Sequence, residues 1–226
     1  MDTAAVGRGM GEPALKRTCM RDRIRDVLVA RILDGTYPAG TQLKELILAR
    51  EFNVSQAPIR EALRELEGSG LVVSERYRGT RVRDADLEEM RESYELRATL
   101  EARAVELAIP CKPGVIEELE GLVRSMDAAV KQHDSERYID EALRLHRRLI
   151  EASGNRVFVI VWDSLHFDVR GRIALRRIVE KGGALAPFID LHMRLIDSVK
   201  TKNVDAAVEL VRQIFTQVST AFNDDA

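Results

Sequence analysis

ILDGTYPAGTQLKELILAREFNVSQAPIREALRELEGSGLV, residues 32–72, is the stretch whose reading decides the fold. Gly35 and then Pro38-Ala39-Gly40 mark a helix end followed by a turn. A short helix over 44–51 comes next, with Leu43, Leu46, Ile47 and Leu48 as its apolar residues. Asn53-Val54 makes a tight corner, Ser55 caps a third helix over 56–68, and Pro58 fits inside that helix's first turn. Ile59, Ala62, Leu63 and Leu66 recur at helical spacing and face a core. Arg60 and Arg64, one turn apart, point elsewhere together. Two short helices joined by a tight corner are the layout of a helix-turn-helix, whose second helix lies in a DNA major groove.

The flanks agree with that reading. Upstream, residues 18–34 place Ile24, Val27, Leu28, Ile32 and Leu33 on one helical stripe. Downstream, LVVSERYRGTRVRD (71–84) alternates apolar residues about Arg78-Gly79, which predicts a β-hairpin with a glycine tip, the wing of a winged helix. Arg76, Arg78, Arg81 and Arg83 around that hairpin suit a phosphate backbone; a single arginine there would only solubilise an edge strand.

The chain has 226 residues, 45% hydrophobic and 32% charged, enough for two ordinary domains with a sizeable core. Its charge is divided. Residues 16–83 carry 14 Lys/Arg against 9 Asp/Glu, and residues 84–226 carry 20 against 26. A basic front meets a polyanion and an acidic rear does not. No run approaches the length of a membrane span, and residues 1–15 read as a tail without the features of a secretory signal. Cys19 and Cys111 lack metal spacing, so reduced thiols in a cytoplasmic protein are expected.

From Asp84 to the end the pattern is helical, over about 86–109, 114–132, 135–153, 156–180, 186–201 and 204–222. The expected fold is therefore mainly α, a winged helix-turn-helix over 16–83 followed by an all-α six-helix bundle over 84–226 with ligand space between helices. No nucleophile elbow, phosphate loop, zincin motif or CxxC occurs, which counts against an enzyme.

Two sets of residues carry a resemblance. GTYPAGTQL, LAREFNVS and PIREALRELEGSGLV resemble the winged-helix domain of GntR-type bacterial transcription regulators. YELRATLEARAVELA (94–108), LHRRLIEASGN (145–155) and HMRLIDSV (192–199) resemble the effector domain of the FadR-type subfamily, the FCD domain, and a six-helix count resembles its VanR-like branch. The resemblance implies a homodimer on a roughly palindromic double-stranded DNA operator, acting as a repressor, with a small-molecule effector in the bundle. It places Ser55, Arg60 and Gly79 at DNA-contacting positions; Lys44, Arg50, Arg64 and Arg78 are added as neighbours. The family usually has Ser-Arg-Thr-Pro where this chain has Ser55-Gln56-Ala57-Pro58. Gln56 reads adenine where arginine favours guanine, so the operator differs while DNA binding stays.

Many such domains hold a divalent metal with one Asp and three His. His146 and His192 match two of these positions, but Ala142 stands at the Asp and Ile214 near the third His. No cofactor is therefore expected; only help from Asp163, His166 or Asp190 would complete a metal set. His146 and His192 are then hydrogen-bonding groups of a pocket or a core. Arg97 is either the carboxylate anchor of an organic-acid effector or the partner of Glu101 one turn on. Trp162 and Phe158 read mainly as core, and Arg170, Arg172, Arg176 and Arg177 as a solvated or dimer-facing surface. An alternative to the effector-controlled repressor is a ligand-blind dimeric DNA binder.

Overall fold

A computed structural model describes residues 20–75, 78–83 and 87–220. The expected tail over 1–15, Cys19 and the wing residue Arg76 lie outside the described residues.

The front of the chain runs α1 (Met20–Leu33), β1 (Gln42–Leu43), α2 (Glu45–Glu51), α3 (Gln56–Gly68), β2 (Val72–Glu75) and β3 (Gly79–Val82). In α1 the i, i+4 pair Ile24 and Leu28 is buried, whereas Val27 is half exposed, so the apolar stripe is narrower than expected. Ile59, Ala62, Leu63 and Leu66 of α3 pack on that pair. Leu48 and Ala49 are the buried residues of α2; Leu46 and Ile47, expected inside, are 50% and 55% exposed. A seven-residue helix makes under two turns and can set only one side against the core. Gly70, at φ 75°, turns the chain out of α3 into the hairpin. The hairpin pairs Val72 with Val82 and Glu75 with Gly79, and β1 adds to the far side of β3 in the order β1-β3-β2. Sequence patterning missed β1, because two residues carry no period.

The rear of the chain comprises α4 (Leu87–Ala108), α5 (Val115–Lys131), α6 (Ser135–Ala152), α7 (Arg156–Ser164), α8 (Phe167–Glu180), α9 (Ala186–Lys200) and α10 (Val204–Ser219). The described residues thus form seven helices, not six, and the ground for a VanR-like placement goes with the count. The expected helix over 156–180 breaks at His166, which adopts left-handed φ 49°, ψ 46°. The break brings Phe167 edge-on to Trp162, ring centroids 5.5 Å apart, with both side chains fully buried. Neither glycine nor proline announces it, which is why the sequence reads as continuous.

Each part has its own core, and α8 joins them: Val169 and Ile173 pack against the front cluster. Glu89 on α4 accepts from Arg83 beside the wing (2.5 Å) and from Arg170 on α8 (2.8 Å). Arg172 and Arg176 pair with Glu136, and Arg172 also with Asp140, on α6. These arginines, expected to face solvent or a partner, instead tie helices of their own chain.

Candidate nucleic-acid interface and the polar centre of the bundle

The outer face of α3 follows from its inner one. With four apolar residues turned inward, Gln56, Arg60 and Arg64 are left exposed on the outside, and Ser55 precedes them at the helix start. Ser55 occupies the cap position but its side chain makes no cap bond with the helix, contrary to expectation; its exposed hydroxyl is not spent on the helix end. Arg60 donates from Nε (3.1 Å) and Nη2 (2.8 Å) to the Glu45 carboxylate at the start of α2. The Arg60 bond, with Arg64 close by, holds Glu45 below the usual carboxylate range. Glu45 therefore sets the direction of the arginine fork. Lys44 stands just before α2 and Arg50 lies near its end, and both are exposed.

The wing tip is held in a similar way. Gly79 takes φ 82°, a conformation that favours glycine, and Gln42 Nε2 donates 2.7 Å to the Arg78 carbonyl. Arg78 is 83% exposed and reaches Glu75 at 3.3 Å; Arg81 donates to the same carboxylate. Sequence reasoning found Arg78 and Gly79 but missed Gln42 and Glu45. These hold residues 36 and 15 positions away, and no local period signals such pairs.

Inside the bundle, Arg97, Glu101, His146 and His192 come together from α4, α6 and α9, all nearly or wholly excluded from solvent. Arg97 Nε donates to Glu101 Oε1 (2.7 Å), and Glu101 Oε2 lies 2.5 Å from His146 Nδ1. His146 Nε2 faces His192 Nε2 at 3.3 Å, and His192 Nδ1 donates to the Phe188 carbonyl (2.6 Å). Burial on its own pushes the Glu101 carboxyl up, but His146 and Arg97 outweigh it and hold it below the usual range. Burial, reinforced by His146, pushes His192 down to about 3.

The Arg97 guanidinium lies over Trp162 and Phe215, 4.6 and 4.9 Å from their centroids, where ring faces offset part of its lost hydration. A Cβ at Gly171 would stand 2.5 Å from Leu143 Cδ2 and 2.7 Å from Arg97 Nη1, so glycine in mid-helix makes room for the arginine. In the sequence, a glycine inside a helical pattern is the signal of such a close approach.

The structure thus shows the Arg97–Glu101 pair and places both histidines inward. Ala142 and Ile214 border the same interior, whose free volume is about 20 Å³. That admits one water, not an organic acid. Asp163 pairs with Arg147 and Asp190 with Arg194, so neither reaches the histidines. Among the described residues no cluster of three or more His, Cys, Asp or Glu suits a metal.

A winged helix with an exposed, arginine-bearing third helix, joined to a helical bundle, defines a DNA-binding regulator. Residues 20–82 match the bacterial regulatory proteins of the gntR family and residues 92–217 match the FCD domain. The chain belongs to the GntR family with an FCD domain; it is a transcription regulator and not an enzyme. It is 30% identical to the probable D-xylose utilization operon transcriptional repressor of Paenarthrobacter nicotinovorans over 71% of each chain. It is 27% identical to the gluconate operon transcriptional repressor of Bacillus licheniformis over 94% of this chain and 89% of that one. The fold is shared with a GntR transcriptional regulator from Rhodococcus sp. RHA1 (TM-score 0.75, 20% identity, 91% and 98% covered). It is also shared with E. coli McbR/YncC (TM-score 0.74, 20% identity, 90% and 98% covered). No helix among the described residues is long and apolar enough to cross a membrane.

Proposed function

We propose that this chain is a homodimeric repressor that binds a short, roughly palindromic operator in the bacterial cytoplasm and releases it when a small organic acid enters the bundle. The observation that carries the DNA-binding half is the outer face of α3, where Ser55, Gln56, Arg60 and Arg64 stand free of the core beside a wing bearing Arg78 and Arg81. Gln56 and Arg60 read bases, Arg64 supports them, and Lys44, Arg50, Arg78 and the Gly79 backbone engage phosphates. Operon repressors among the relatives support the sign of control.

A second copy of the chain covers an apolar face made by α4 and α7. Leu96 and Leu107 of α4 and Val157 and Ile160 of α7 are 41–61% exposed, on the two helices that contribute Ala104 and Trp162 to a small buried cluster with Ile150 and Phe167. Large apolar side chains grouped on a surface mark an interface, and a two-fold protein matches a two-fold operator.

Arg97, His146 and His192 are the groups that meet the acid's carboxylate. Side chains must move to admit it, since the free volume is about 20 Å³. That small volume favours a second reading, a ligand-blind dimer whose bundle only pairs two reading heads. Fluorescence anisotropy with DNA upstream of the protein's own gene tests the first half; no binding at modest salt ends it. A thermal-shift panel of organic acids separates the two readings. A hit that also weakens operator binding supports the effector, and a panel without hits supports the ligand-blind dimer.

A further inference from the structure

One polar line runs through the bundle: Arg97, Glu101, His146, His192 and the Phe188 carbonyl. Its ends fix its hydrogens. A carbonyl only accepts, so His192 Nδ1 carries a hydrogen; Glu101 is ionised, so His146 Nδ1 carries one too. A neutral imidazole has a single N–H, so two neutral rings would face lone pair to lone pair across 3.3 Å.

The spacing by itself suits a metal. Two nitrogens at about 2.0–2.1 Å from one tetrahedral ion stand about 3.3 Å apart, and ligating histidines commonly donate Nδ1–H to a carboxylate or a carbonyl, as these do. The remaining donors are missing. Ala142, Leu175 and Ile214 supply no ligand atom, and burial keeps the Tyr94 and Tyr138 phenols protonated. Arg97 borders the same space with a positive charge of its own. Glu101, the one carboxylate in reach among the described residues, is turned to the far nitrogen of His146. The residues present do not fit a divalent ion.

We propose that the bundle centre is a metal site two donors short: His146 and His192 keep the spacing of a ligand pair, while Ala142 and Ile214 leave it without the remaining donors. The domain folds and binds DNA without a metal, and donors restored at positions 142 and 214 convert the slot into an ion site. This inference stands whether or not an effector enters.

Cobalt(II) is the probe, because nitrogen and oxygen ligation in a tetrahedral site gives strong visible absorption. The wild-type protein is expected to purify with substoichiometric metal, to show no cobalt bands, and to melt identically with cobalt or with EDTA. The double variant Ala142→Asp/Ile214→His is expected to take up one cobalt per chain. Its midpoint should then rise by roughly 5–10 °C at a hundredfold excess over Kd in a chain of this size. Stoichiometric metal in the wild-type protein, or an EDTA-sensitive midpoint that His192→Gln abolishes, overturns the proposal. So does a folded double variant, judged by its helical circular dichroism, that ignores cobalt. If that variant does not fold, Ala142→Asp alone is measured; weak cobalt bands support the proposal and none overturns it.

Discussion

Replacing Arg60 by alanine tests the reading of the interface most directly. Arg60 is 52% exposed and its fork is already aimed, held at 2.8–3.1 Å by Glu45. No core contact depends on it, so the variant keeps the wild-type fold and melting point. A bidentate arginine–base contact is lost, which raises Kd for the operator by roughly 5- to 150-fold, while binding to unrelated DNA changes little. The slope of log Kd against log salt stays the same, since no phosphate contact is removed. Arg78→Ala at the wing tip gives the opposite pattern, a uniform weakening on all sequences and a salt slope smaller by about 0.9. Glu45→Gln frees the fork and removes a negative charge beside the DNA, so non-specific binding tightens and discrimination falls. Anisotropy titrations on operator and scrambled duplexes at three salt concentrations measure all of this. An Arg60→Ala protein whose operator affinity is unchanged, or whose loss is equal on both duplexes with a reduced slope, would refute base reading by Arg60.

Three further outcomes concern the bundle. His192 is held neutral with a value of about 3, below the ordinary histidine near 6.5. The unfolded chain therefore binds a proton that the folded one does not. Stability from this group is full above pH ~6.5 and falls on acidification toward pH ~3, by up to ~1.4 kcal/mol per pH unit. Urea midpoints at pH 7.5 and 5 should show that loss, and His192→Leu should flatten it; an unaltered slope assigns the loss to other groups. Glu101→Gln leaves Arg97 without its counter-charge inside the bundle and should cost ~3–5 kcal/mol in urea unfolding; a cost near zero shows that the pair is not compensating charge. Gly171→Ala should destabilise even though alanine favours a helix by ~1 kcal/mol, because its Cβ would press on Leu143 and Arg97. A stabilised variant would show that Arg97 yields freely.

The sequence by itself determined the reading head. Ile59, Ala62, Leu63 and Leu66 at helical spacing, Gly70 after them and an alternating hairpin about Gly79 are local signals, and local periodicity fixes which side of an element is buried. Once α3 buries those four residues, Arg60 and Arg64 have only the outside left. Tertiary structure alone decided what lies between elements: Glu45 aiming Arg60, Gln42 holding the wing, and the break at His166 that seats Phe167 on Trp162. It also decided that Arg97 lies beside an aromatic pair, Glu101 and a glycine 74 positions away in number, rather than in an open cavity. Such contacts join residues whose neighbours in sequence say nothing of each other. Only the packing of helices against helices, set by volume and by the need of every buried polar atom for a partner, brings them to one place.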